Sequence, residues 1–144
     1  MLLLTAGRHA VLFYASMSDA LTTLLVDETE FARDEIAPAL EPYVRLTRDG
    51  GLLLEPGFDA LPTELRVLCV LVALQALKML GVRATNDVTP AELVEISGMP
   101  EGTVRPKLSA LHKAHRVSKD AGRYSLPMHS ARRAMAALAE ARRG

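Results

Sequence analysis

The chain has 144 residues, 49% of them apolar and 24% charged, with 17 basic and 17 acidic side chains. That length suits one domain, or one domain with a substantial extension; the core must be aliphatic, since aromatics make up only 4% and Trp is absent. A single cysteine, Cys69, excludes an internal disulfide or a multi-cysteine zinc site and fits a reducing cytoplasm.

Met1 to about Asp59 is the least readable part. MLLLTAGRHAVLFYAS is apolar, but no basic leader precedes the run and Arg8-His9 interrupts it, so a signal peptide is not expected. Leu2–Leu4 and Val11–Tyr14 flank Ala6-Gly7-Arg8, a pattern compatible with a hairpin or with the start of a helix. Asp27 and Glu30 form a capping-box-like pair that opens a helix through Ala37, and Pro38 and Pro42 are expected to break or end it. Tyr43–Thr47 and Leu52–Glu55 surround Arg48-Asp49-Gly50-Gly51, which predicts a β-hairpin. Residues 1–60 thus read as a folded α/β extension, a candidate for dimerisation or partner binding, with residues 61–144 as a second division.

Pro62 to Leu80 predicts one long helix. Its heart, Val67 to Leu77, has ten apolar residues out of eleven, interrupted only by Gln75. A helix apolar almost all round is buried on most sides. With Arg66 and Lys78 at its ends it is too short for a membrane span. The N-terminal segment and a second copy of the chain are the two available covers, so a homodimer through the 63–80 helix and the N-terminal segment is expected. Gly81 to Asp87 is a connecting loop.

Val88 to Pro127 carries the most specific pattern. Thr89 is placed as an N-cap, Pro90 at the first helical position and Glu92 to reach back to the Thr89 backbone. Leu93 and Ile96 give this helix an apolar side, Ser97-Gly98 ends it, and Met99 plugs the corner. Pro100-Glu101 opens a second helix whose Val104, Leu108 and Leu111 form one buried stripe. Pro106 removes a hydrogen bond and crowds the carbonyl of Gly102, so either the first turn is bent or the helix begins at Thr103. After His115 the period becomes two: Val117, Tyr124 and Leu126 flank a turn at Asp120-Ala121-Gly122.

This succession of capped helix, corner, second helix and hairpin resembles the winged helix-turn-helix superfamily of DNA-binding domains, over roughly Pro62 to Pro127. The resemblance implies a mainly α fold with small β-hairpins (α+β), with a recognition helix at about 101–114 entering the major groove and a wing at about 116–126 touching phosphates or the minor groove. On that reading Thr103, Arg105, Lys107, Ser109, His112 and Lys113 face DNA from the helix, and Lys119 and Arg123 from the wing, where Asp120 is their one acidic neighbour in sequence. Arg105 can read guanine through two parallel hydrogen bonds, or pair with Glu101 four residues earlier. The family also contains winged helices that bind proteins, so an interaction or assembly module remains open.

Charge is segregated in keeping with the DNA reading. Residues 101–144 hold ten Lys or Arg against three Asp or Glu, and the first hundred hold seven against fourteen. Phosphate neutralisation with counterion release supplies most non-specific DNA affinity. After the wing, Ser130 is placed to cap a last helix, Ala131 to Arg142, whose alanines suit close packing and whose arginines suit phosphate contact. His112 and His115 lack a third ligand by spacing, and no phosphate-binding glycine loop or nucleophile elbow is present. Catalysis, metal and cofactor are therefore not expected.

Overall fold

The computed structural model describes residues 20–25 and 28–143, and it divides into two compact units, Met1–Phe31 and Ala32–Gly144. The expected turn or helix around Ala6-Gly7-Arg8 and the Asp27 cap lie outside the described residues. The first unit contributes a short 3-10 turn, Ala20–Leu24, in which the Thr23 hydroxyl donates to the Ala20 carbonyl at 2.8 Å.

The described elements that follow are α1 (Glu28–Leu40), β1 (Val44–Leu46), β2 (Leu52–Leu54), α2 (Thr63–Met79), α3 (Pro90–Ser97), α4 (Glu101–Lys113), β3 (Ser118–Asp120), β4 (Arg123–Ser125) and α5 (Met128–Arg143). The arrangement is mainly helical, with two antiparallel two-stranded sheets, an α+β fold. No helix among the described residues is long and apolar enough to cross a membrane.

Helix α2 is the centre of the second unit. All ten apolar residues from Val67 to Leu77 are buried, none more than 6% exposed. Helix α5 lies along α2 most extensively, with α3, α4 and β1 covering the remaining sides. Within a single chain the apolar surface of this helix from Val67 to Leu77 is thus already covered. The one polar interruption is also explained, because Gln75 accepts a hydrogen bond from the Asn86 amide in the loop after α2. Cys69 is a buried packing residue, and desolvation pushes its thiol up to about 12. Ile36, Tyr43, Val44 and Phe58 share the core built on α2.

The first hairpin forms as expected, with Val44 opposite Leu54 and Leu46 opposite Leu52. Its turn closes through Gly50 N–H on the Thr47 carbonyl at 3.1 Å, and Gly50 takes a φ of +91° that other residues rarely adopt. Two expected helix ends move. Pro38 does not stop α1, which continues to Leu40 with Ala39 and Leu40 buried in the core. Helix α5 begins at Met128 and not after Ser130, because the Pro127 carbonyl accepts the Ser130 and Ala131 N–H groups at 3.0 and 2.9 Å.

Alanines let α5 approach α2 closely, Ala131 and Ala134 being fully buried. Its carbonyl at Leu138 accepts the Tyr43 hydroxyl at 3.1 Å, tying the turn before β1 to the last helix. Two arginines of α5 are engaged by carboxylates, Arg132 with Glu35 at 3.6 Å and Arg143 with Glu140 at 3.2 Å.

Between α3 and α4 the chain turns on a few groups. Gly98 is left-handed at φ +73° and donates to the Val94 carbonyl. The buried Ser97 hydroxyl donates to the Leu93 carbonyl at 2.7 Å and accepts the Met99 N–H at 3.2 Å. Ser97→Ala strands that buried N–H, so it should destabilise the protein by about 1–2 kcal/mol in urea unfolding. The second hairpin turns at Ala121 and Gly122, both with positive φ, +52° and +78°. Alanine is poorly suited to that geometry, whereas Asn-Gly favours it. Ala121→Asn should therefore stabilise the fold by about 0.5–1 kcal/mol, read as a higher urea midpoint with an unchanged slope.

Candidate nucleic-acid interface

The capping box that opens α3 is fully formed. Thr89 Oγ1 accepts the Glu92 N–H at 3.1 Å, and Glu92 Oε1 accepts the Thr89 N–H at 2.9 Å. Helix α4 starts at Glu101, with the Pro100 carbonyl accepting both Thr103 N–H at 2.9 Å and Val104 N–H at 3.0 Å. That shared acceptor tightens the first turn. Pro106 is accommodated inside a continuous helix, and its clashing partner, the carbonyl of Gly102, belongs to an exposed residue with open space around it. The helix ends at a left-handed His115, φ +61°, where Arg116 N–H returns to the Leu111 carbonyl at 2.9 Å. Arg116 is then held by Glu64 of α2 at 2.8 Å.

Val104, Leu108 and Leu111 are buried and set the rotation of α4. At 100° per residue, Arg105, Ser109 and His112 run along one flank of that stripe, Thr103 and Lys107 along the other, and Lys113 points opposite to it. The six helix candidates are thus distributed around three sides. Thr103 and Lys107 are half-buried, while Arg105, Ser109, His112 and Lys113 are exposed. Arg105 forms an ion pair with Glu101 one turn earlier.

The hairpin is brought to α4 through an aromatic ring. Tyr124 is 7% exposed; the His112 ring meets it edge-on at 6.4 Å and the Lys119 ammonium lies 5.4 Å from its centroid. His112 of α4, Lys119 of β3 and Tyr124 of β4 therefore share one surface. Tyr124 also pairs on its other side with Val88, through N–H to carbonyl bonds of 2.8 and 2.9 Å. Sequence reading took Tyr124 only for an apolar strand residue and assigned Val88 no role; its signal was an apolar residue immediately before a helix cap.

Arg123 departs furthest from expectation. Its guanidinium is held by Asp87 at 3.0 Å and by Glu92 at 3.1 Å, so Asp120 is not its relevant acidic neighbour. These contacts lash β4 to the loop before α3 and to the capping box itself. Hydrogen bonds from the Thr85 hydroxyl and then from Arg123 hold the Asp87 carboxyl below the usual carboxylate range. For Glu92 the Thr89 N–H is the largest cause of a lowered pKa, with the Arg123 charge contributing further. Arg123 is correspondingly raised, first through its bond to Asp87. Of the eight candidates, Arg105 and Arg123 are thus engaged by carboxylates, and Lys119 is set on an aromatic face.

Comparison with protein-family models, curated proteins and solved structures finds no match to this chain.

The Arg123 clamp has a pH signature. Both carboxyls are depressed in the folded state, so their stabilisation is present above the unfolded carboxylate pKa and is lost as pH falls through the folded values. Arg123→Met should lower the Tm at pH 7 and should lower it much less at pH 3. Parallel melting curves of the two proteins at the two pH values give the check.

Proposed function

We propose that this chain is a sequence-specific DNA-binding protein of the winged helix-turn-helix kind, a transcriptional regulator in which α4 is the recognition helix and the β3–β4 hairpin the wing. The observation that carries this reading is the meeting of His112 and Lys119 on Tyr124, which makes α4 and the hairpin one surface in the basic part of the chain. A duplex lying along the Arg105–Ser109–His112 flank would pass from the helix onto Lys119 without a break. Arg105 sits in the second turn of α4, near the end that reaches bases in this class of domain. Its pair with Glu101 is solvent-exposed, so replacing it with a guanine edge costs little.

Arg123 takes a different role here from a phosphate contact. Clamped by Asp87 and Glu92, it positions the wing, leaving Lys119 to meet the backbone. A dimer on two half-sites remains part of the proposal, but its contact is not assigned to α2, whose apolar residues are covered.

A second reading, a protein-interaction module docking on an acidic partner, is favoured by one feature. The arginines at Arg105 and Arg123 already have carboxylate partners, and the first two turns of the outermost ridge of α4 carry only the short residues Gly102 and Pro106, with Lys113 at its far end.

Fluorescence anisotropy with random duplex DNA across a salt series separates the two. DNA binding predicts an affinity that falls steeply with salt, and Lys119→Ala should weaken selected and random DNA alike while reducing the slope by about one counterion. Arg105→Lys should cost about 1–3 kcal/mol on a selected site and little on random DNA. No measurable binding to random duplex at low salt would favour the protein-interaction reading.

A further inference from the structure

The first hairpin leaves an apolar strand edge in solvent. Strand β2 is leucine at all three positions, so it is apolar on both of its faces. Leu53 is 60% exposed and Leu54 37%, while Leu52 is half-buried. Sheet edges are ordinarily guarded by a charge, a proline or a bulge, and these three positions carry none of them. The strand is nonetheless held in place from behind. Val44, its partner in β1, is buried in the core, and the Tyr43 hydroxyl reaches the Leu138 carbonyl. A strand already fixed in this way loses little conformational freedom when another strand joins it.

In an antiparallel ladder, residues alternate between pairs that exchange both hydrogen bonds and pairs whose N–H and C=O point away from the partner strand. Glu55 N–H bonds to the Tyr43 carbonyl at 2.8 Å and Thr47 N–H to the Gly51 carbonyl at 2.9 Å. With that register Leu53 is in a bonded pair with Arg45, and the main-chain groups of Leu52 and Leu54 point outward, away from β1. Among the described residues no hydrogen bond reaches these outward groups.

The strand is complementary to itself. A twofold axis perpendicular to the sheet brings two β2 edges together antiparallel, with both cores on the same side. Centred on Leu53, it sets Leu52 of each copy opposite Leu54 of the other, and every outward group of these residues finds a partner. The neighbouring registers do worse. Centring on Leu54 would set Leu52 against Pro56, which has no N–H to give. Centring on Leu52 would set Leu54 against Gly50, whose N–H already serves the Thr47 carbonyl and whose φ of +91° is not extended. In the favoured register Leu53 meets Leu53 on one face, and Leu54 lies beside Leu52 on the other. Like charges stay apart. Glu55 comes opposite Gly51, and the two Arg45 side chains, each paired with its own Glu55, are three strand spacings apart, about 14 Å and beyond the Debye length.

We propose that the chain forms a twofold dimer through the outer edge of β2, the two hairpins joining into one four-stranded antiparallel sheet with Leu53 on the axis. This gives a contact for the dimer, and it stands whether or not α4 binds DNA. Three residues a side make an interface at the small end of the scale, so monomer and dimer exchange in the micromolar range.

The test uses the full chain without DNA, in sedimentation equilibrium from micromolar to millimolar concentration. The average mass should rise toward twice that of the chain. Over the same range hydrogen exchange should slow at the Leu52 and Leu54 amides and not change at Leu53, whose N–H is already bonded within the hairpin. Leu53→Lys and Leu53→Glu alter an exposed side chain, so each should keep the Tm and weaken self-association about tenfold or more, because like charges then meet on the axis. An equimolar mixture of the two should dimerise again. Oxidised Leu53→Cys should form a disulfide-linked dimer well ahead of Leu80→Cys, which is as exposed but lies off this edge, and the native Cys69 is buried and does not compete. A chain that stays monomeric at millimolar concentration overturns the proposal, and leaves the edge to a strand of some other protein. So does a dimer that Leu53→Lys leaves intact, a charge mixture that stays monomeric, or equal cross-linking of the two cysteine variants.

Discussion

Burial of α2 is the constraint on which the second unit depends. Ten apolar residues in eleven consecutive positions cannot be covered by one neighbour, so the helix needs partners on several sides, and β1, α3, α4 and α5 are arranged to provide them. Fully burying a Val or Leu side chain contributes about 1.5–3 kcal/mol. A helix with this many such residues therefore dominates the choice of tertiary structure. The alanines of α5 and the leucines of α4 are adaptations to it: one lets a helix come close, and the other fills the space beside α3.

On that frame the polar interactions mostly fix angles. Ser97 holds the corner between α3 and α4 by serving two backbone groups at once. Arg116 ties the end of α4 back to Glu64 at the start of α2. Arg123 fastens the hairpin to the same turn that caps α3, so the cap, the helix pair and the hairpin behave as one mechanical piece. Glu92 belongs to both devices, accepting from the Thr89 backbone and from Arg123. Such partly exposed pairs add little stability individually, and their value lies in orientation.

Two surfaces on different parts of this frame differ in chemistry. The surface around His112, Lys119 and Tyr124 presents charge over an aromatic ring and suits a polyanion. The groove between α1 and β1 is largely apolar.

Much of the local structure was legible from the chain itself because it rests on short-range physics. The Thr89-Pro90-Glu92 cap, the Gly98 corner, the Val104–Leu108–Leu111 stripe and the turn at Gly50 each depend on residues within a few positions of one another. The helix ends at Pro38 and Ser130 were misjudged because a proline or a serine states a local preference that core packing of Ala39 and Leu40, or a carbonyl at Pro127, outweighs. What covers α2 could not be read from periodicity, which reports that a face is buried and not by what. The same holds for the candidate interface. The charges of Arg105, Lys119 and Arg123 are visible in the sequence, but long-range contacts decide their roles. Asp87 and Glu92 lie more than thirty residues from Arg123, and only folding makes it a clamp and leaves Lys119 on the face of Tyr124.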